Sequence, residues 1–199
     1  MVTKTRCDWA STDDALMRDY HDTEWGVPLH DDRLLFEFLC LEGAQAGLSW
    51  RTVLHKRENY RRAFHGFEID RVAAMTDDEL AQRLLDPGII RNRLKISSVR
   101  DNAIATQAVI AEFGSLDAYL WSFCEGRRQI NHWQEQSQAP ATTEVSDRMS
   151  KALKKRGFRF VGSTICYALM QATGMVNDHL TGCFRHRACK DAAAGRASR

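Results

Sequence analysis

Leu34-Leu35-Phe36-Glu37-Phe38-Leu39-Cys40-Leu41-Glu42-Gly43-Ala44-Gln45 carries apolar side chains at helical spacing. At about 100° per residue, Leu34, Leu35, Phe38 and Leu39 share one stripe. Asp31 or Asp32 is placed to cap the first amides, so a helix is expected from Leu34 to about Gln45. The same period extends outward in both directions. Toward the N-terminus, Ser11 or Asp13 caps a helix reaching about Tyr20. Toward the C-terminus, residues 50–64 read as a helix. Thr76-Asp77-Asp78-Glu79 starts another, with Leu80, Leu84 and Leu85 on its inner face. Asp86-Pro87-Gly88 breaks the chain before a long helix from about Arg91 to about Phe113. Ser115 caps a helix through Tyr119 and Phe123, and the polar residues 126–143 read as a loop. Residues 146–156 form a helix ended by Gly157, and residues 162–173 one closed by Gly174. No segment alternates apolar and polar residues over a strand's length. The expectation is an all-α fold: one domain over residues 1–189, followed by a disordered tail at 190–199.

The 199 residues suffice for one core, or for two small lobes sharing one. Lysine and arginine total 28 against 26 acidic residues, so the chain is not a uniformly basic nucleic-acid coat. It has no run of about 18 apolar residues that would span a membrane. The segment before Trp9 lacks the apolar core of a secretory signal, and a cytoplasmic location is expected. In such a reducing compartment the six cysteines are buried hydrophobes or metal ligands and not a disulfide framework.

Glu42 falls in the middle of the apolar stripe. A carboxylate there needs a partner, a cationic ligand or a proton, because an unpaired buried charge is costly. The alternative is a helix that ends early and leaves Glu42 in water; Gly43 and Gly47 favour that reading. Downstream, Gly43, Ala44, Ala46 and Gly47 are small enough for a backbone or a ligand to approach, and Trp50 follows. An indole near an isolated carboxylate suits a flat cation; a lone Trp is more often core.

Cys7, His21, His179 and Cys183 together make a tetrahedral zinc complement, with His186 and Cys189 as rival ligands. Such a site, filled by four protein ligands, is structural and ties the two ends of the chain together. The turn at Gly88, followed by Arg91, Arg93 and Lys95, resembles a helix-hairpin-helix phosphate clamp. Arg148, Lys151, Lys154, Lys155, Arg156 and Arg159 form a second basic cluster. Both are either solvated faces or a footprint for an anionic partner.

Five segments resemble the 3-methyladenine DNA glycosylase I family. They are Tyr20-His21-Asp22-Thr23-Glu24-Trp25-Gly26-Val27-Pro28, residues 41–50, Gly88-Ile89-Ile90-Arg91, residues 150–162, and Val176-Asn177-Asp178-His179. The resemblance spans about residues 7 to 183. It implies a two-lobed helix-hairpin-helix fold that hydrolyses the N-glycosidic bond of 3-methyladenine in alkylated double-stranded DNA. It also implies one structural zinc on Cys7, His21, His179 and Cys183. It assigns the base-contacting carboxylate to Glu42, the stacking indole to Trp50 and pocket aromatics to Tyr20 and Trp9. Leu48 falls where a side chain fills the gap left by the extruded base. Gly88, Arg91, Arg93, Lys95, Lys154 and Lys155 are expected at the DNA backbone. Met17 stands where some members carry another pocket tyrosine. Asp117 is a distant candidate for the aspartate of the wider superfamily, and Lys95 is the lysine nearest the position used by strand-cleaving relatives. Neither matches well: the resemblance implies that the activated leaving group makes the aspartate dispensable, and without the lysine no strand cleavage is expected. Nothing in the sequence demands more than a monomer.

Overall fold

The computed structural model describes residues 4–194, with side chains described through Cys189. Eleven α-helices make up nearly all of its regular structure. In chain order they are α1 (Ala15–Thr23), α2 (Asp32–Gln45), α3 (Trp50–Leu54), α4 (Arg57–Ala63), α5 (Ile69–Ala73), α6 (Asp77–Arg83), α7 (Arg93–Phe113), α8 (Leu116–Ser122), α9 (Glu144–Lys155), α10 (Ser163–Ala172) and α11 (Phe184–Ala194). No described helix is long and apolar enough to cross a membrane.

The organising element is α2. Asp31 caps it by accepting the Leu34 amide. It packs against α3, α7, α8 and α10. Every residue from Leu35 to Ala44 is buried, so α2 is a central helix and not the one-sided helix its stripe implied. Full burial has an electrostatic consequence at Glu37. Its carboxylate is held by the Arg57 Nε at 2.5 Å and the Arg61 guanidinium at 2.8 Å. Paired in this way, the charge is tolerated inside the core.

Local capping sets most of the remaining boundaries. Asp14, and not Ser11 or Asp13, caps α1 by accepting the Leu16 and Met17 amides. Thr76 and Glu79 form a reciprocal capping box on α6. That helix stops at Arg83, and Leu85 is 70% exposed where an inward position was expected. Asn92 accepts the Lys95 amide, so α7 begins at Arg93, two residues beyond the expected start. The helix expected over residues 50–64 is two helices. His55 and Lys56 lie between them, and their side chains make tertiary contacts, His55 with Asp14 and Lys56 with the Pro87 and Gly88 carbonyls.

Three features were not legible in the sequence. His65–Phe67 is a 3-10 turn leading into α5, with Phe67 fully buried. Gln129–Ile130 (β1), inside the segment read as loop, pairs in parallel with Val176–Asn177 (β2). Helix α11 runs through Ala194, into the segment read as a disordered tail; residues 195–199 lie outside the described residues. Gly174 closes α10 at φ +72°, and a Cβ there would stand 2.4 Å from the backbone of Val27 and Pro28. Only glycine lets these two segments meet.

Candidate functional site

Helices α1, α2, α3 and α10 surround a cavity of about 410 Å³. Its lining includes Trp9, Met17, Tyr20, Glu42, Trp50 and Gln171. Each reaches it for a local reason. Glu42 sits on the last turn of α2, three residues before the helix ends, and is 3% exposed. Ser49 caps α3 through the Thr52 amide and so sets the position of Trp50 at its start. Tyr20 faces the same space from α1, its ring 5.2 Å from that of Trp50 and 6.3 Å from that of Trp9.

Two polar atoms here are buried and unpartnered: Glu42 Oε2 and Trp50 Nε1. An orphaned buried acceptor and an orphaned buried donor in the lining of one cavity mark a place prepared for a ligand's polar edge. Desolvation pushes the Glu42 carboxyl from its usual 4.5 up to about 8. Tyr20 is also pushed well above the ordinary phenol value, first by desolvation and then by the neighbouring Glu42. Burial therefore favours the protonated form of this carboxyl, which aromatic faces surround. A flat cation entering the cavity gains π-face attraction and can displace that proton.

Among the described residues, Glu42 is the only carboxylate lining the cavity, and no lysine lines it. Asp117 lies elsewhere, its Oδ1 2.8 Å from His30 Nδ1. Met17 is a lining residue. Leu48, 43% exposed, projects from the turn between the lining residues Gln45 and Ser49. Sequence reasoning missed Arg51, Gln136 and Gln171 as lining residues. Gln136 opens a short 3-10 turn, Gln136–Gln138, inside the polar segment read as loop. Gln171 is placed by Asp178, a buried carboxylate that also accepts from Asn131, Trp133 and Tyr167. The clustering of donors around Asp178 has no signature in one dimension.

A second constellation joins the chain's ends. The ligand atoms of Cys7, His21, His179 and Cys183 all lie within 4.8 Å of one another, and all four residues are buried. Cys183 Sγ is 3.4 Å from His21 Nε2 and 3.7 Å from His179 Nδ1; Cys7 Sγ is 3.6 Å from His179 Nδ1. Thiolate and imidazole ligands at ordinary tetrahedral bond lengths stand about 3.6 Å apart, so the cluster fits a metal ion. The outer ring nitrogens are oriented as metal-bound imidazoles usually are: His21 Nδ1 on Asp22 at 2.8 Å, His179 Nε2 on the Trp25 carbonyl at 3.0 Å. The Leu180 and Arg185 amides point at the Cys7 and Cys183 sulfurs. The rivals stand outside the cluster; His186 Nε2 is engaged by the Asn131 carbonyl at 2.8 Å.

The basic residues divide. Arg91 and Arg93 are exposed around the turn into α7, and Lys154 and Lys155 are exposed on the last turn of α9. Arg156 and Arg159 are paired with Glu112 and Asp101. The Gly88 amide is spent on Asp86 Oδ1 at 2.7 Å. Lys95 points inward, its ammonium 2.8 Å from the Ala44 carbonyl and 2.6 Å from that of Ala46, bracing the end of α2.

Comparison with known proteins gives a consistent result. The family described as methyladenine glycosylase matches residues 9–186. DNA-3-methyladenine glycosylase 1 of Escherichia coli (strain K12) is 51% identical over 178 residues, 89% of this chain and 95% of that one. A crystal structure of 3-methyladenine DNA glycosylase I aligns at TM-score 0.88 and 53% identity, over 90% of this chain and 98% of that one. The Staphylococcus aureus 3-methyladenine DNA glycosylase I, in a structure describing its 3-methyladenine recognition, aligns at TM-score 0.86 and 33% identity, over 88% and 94%.

Proposed function

The chain belongs to the methyladenine glycosylase family, and from that premise we propose how its cavity carries out the reaction. It is a DNA-3-methyladenine glycosylase of base-excision repair: it hydrolyses the N-glycosidic bond of 3-methyladenine in alkylated DNA and releases the free base. The carrying observation is the buried, unpartnered Glu42 carboxyl, the only one of its kind among the described residues, in a cavity that Trp50 also lines.

The target nucleotide is extruded from double-stranded DNA, and Leu48 fills the space it leaves. Methylation at N3 makes the adenine cationic, which weakens its bond to the sugar. Trp50, with Tyr20 and Trp9, offers π-faces to that cation, and Glu42 surrenders its proton and supplies the compensating charge. A neutral adenine has no positive charge to exchange for the proton and is rejected. Charge leaves the base as the bond breaks, so Glu42 acts chiefly in recognition; gripping the cation alone would not accelerate the step. A strand-cleaving lysine is missing from the described lining, and Lys95 is committed to the α2 carbonyls, which supports water as the nucleophile and no strand cleavage. The α6–turn–α7 segment is the helix-hairpin-helix clamp between two lobes, with Arg91, Arg93, Lys154 and Lys155 on backbone phosphates. Gly88 shapes its turn without offering its own amide. Zinc on Cys7, His21, His179 and Cys183 supplies no chemistry to the reaction; it clips the two ends of the fold. The enzyme acts as a monomer.

The test is incubation with methylated duplex DNA and assay of both products. Free 3-methyladenine with intact strands is expected. Binding without base release would reduce the chain to a DNA-binding module.

A further inference from the structure

The mouth of the cavity carries a cation that base recognition does not use. Arg51 lines the cavity from α3, and its side chain is 64% exposed. Its Nε meets Asp14 Oδ2 at 2.7 Å, and His55 Nε2 meets the same oxygen at 2.7 Å. The Asp14 side chain is buried, and its Oδ1 accepts the Leu16 and Met17 amides at the start of α1. Asp14 thus ties α1, which brings Met17 and Tyr20, to α3, which brings Trp50.

Two features separate Arg51 from an ordinary surface arginine. Its Nε is pinned by a carboxylate that helix capping already immobilises, so part of the side-chain entropy lost on binding is spent in advance. Its four terminal N–H donors, in a fork matched to phosphate, remain on the exposed part of the side chain. A bare arginine beside a pocket for a cationic base would oppose that base. The Asp14 charge offsets it at contact distance and leaves the donor fork intact. A nucleotide whose base enters the cavity must bring its own phosphates to the mouth.

We propose that Arg51, pinned by Asp14, binds a backbone phosphate of the nucleotide whose base occupies the cavity. The proposal rests on the reading of the chain as a base-excising enzyme. Because the freed base carries no phosphate, Arg51 strengthens the hold on DNA and contributes nothing to the hold on the released product.

The experiment compares the full-length wild type with Arg51→Met and Arg51→Lys. Affinity for a duplex bearing an abasic site is measured across a salt series, and affinity for free 3-methyladenine is measured beside it. For Arg51→Met we expect about a tenfold loss in duplex affinity at fixed salt, with the log–log salt slope lowered by about 1. Arg51→Lys restores the slope without restoring full affinity, since an ammonium lacks the fork. Affinity for the free base falls in neither variant, and a melting curve shows that both remain folded. An unchanged slope in Arg51→Met, or an equal loss for free base and duplex, overturns the proposal. If the wild type releases no base from methylated DNA, the activity reading falls, and the proposal with it.

Discussion

At the scale of single residues, the account rests on Glu42. Its carboxyl titrates near 8 in the folded protein against a usual 4.5. The folded state therefore holds this proton more tightly than the unfolded chain does. The contribution to stability is complete below about 4.5 and is lost as pH rises to about 8, by about 1.4 kcal/mol per pH unit at most. Glu42→Gln removes that dependence, so the Tm of the variant relative to wild type should climb between pH 5 and pH 8. A difference independent of pH would mean that the carboxyl is not desolvated. The same proton must leave when a cationic base enters, so affinity for the lesion should rise with pH up to about 8. Trp50→Ala should weaken binding of 3-methyladenine about tenfold, the usual worth of one stacked base, with the fold intact. The helical period put a carboxylate on an apolar stripe, and the structure buries it. Glu37 lies on the same helix and is equally buried, yet it carries no comparable message. Its partners Arg57 and Arg61 come from α4, and nothing in sequence spacing pairs them with it.

At the scale of elements, caps were read well and interruptions poorly. Asp31, Thr76 and Ser115 cap as their side-chain chemistry dictates, because an N-cap is a contact over two or three residues. At the break between α3 and α4, His55 and Lys56 reach Asp14 and the Pro87–Gly88 carbonyls, partners distant in sequence and invisible to periodicity. Lys95 shows the same limit. Its place beside Arg91 and Arg93 implied a phosphate contact, and α7 turns it toward the end of α2. Lys95→Met should therefore lower stability by about 1 kcal/mol or more and reduce excision, while the salt slope of DNA binding stays as in wild type. A slope lowered by about 1 would return Lys95 to the DNA backbone. The double substitution Lys154→Gln and Lys155→Gln on α9 should lower that slope by about 2 and leave the free-base affinity alone.

At the scale of the whole molecule, residues remote in sequence are joined at two centres. The Cys/His cluster brings residues 7 and 21 to residues 179 and 183. The sequence offered the ligand types without saying that His186 and Cys189 stand aside, since only folding brings Asn131 to His186. Cys183→Ala should lose bound zinc and lower Tm by several degrees, as should chelation of the wild type, whereas Cys189→Ala should keep its metal; metal analysis beside a melting curve checks all three. The cavity likewise draws on α1, α2, α3, α10 and the loop carrying Gln136, and only its α2–α3 wall could be read from one continuous stretch. The most direct test of the account is single-turnover release of 3-methyladenine from methylated duplex DNA by wild type, Glu42→Gln and Trp50→Ala at neutral pH. With enzyme kept below the concentration that saturates binding, so that the rate reports recognition as well as bond cleavage, the account predicts prompt release by the wild type and at least a tenfold slower rate in each variant. Full activity in both variants would contradict it.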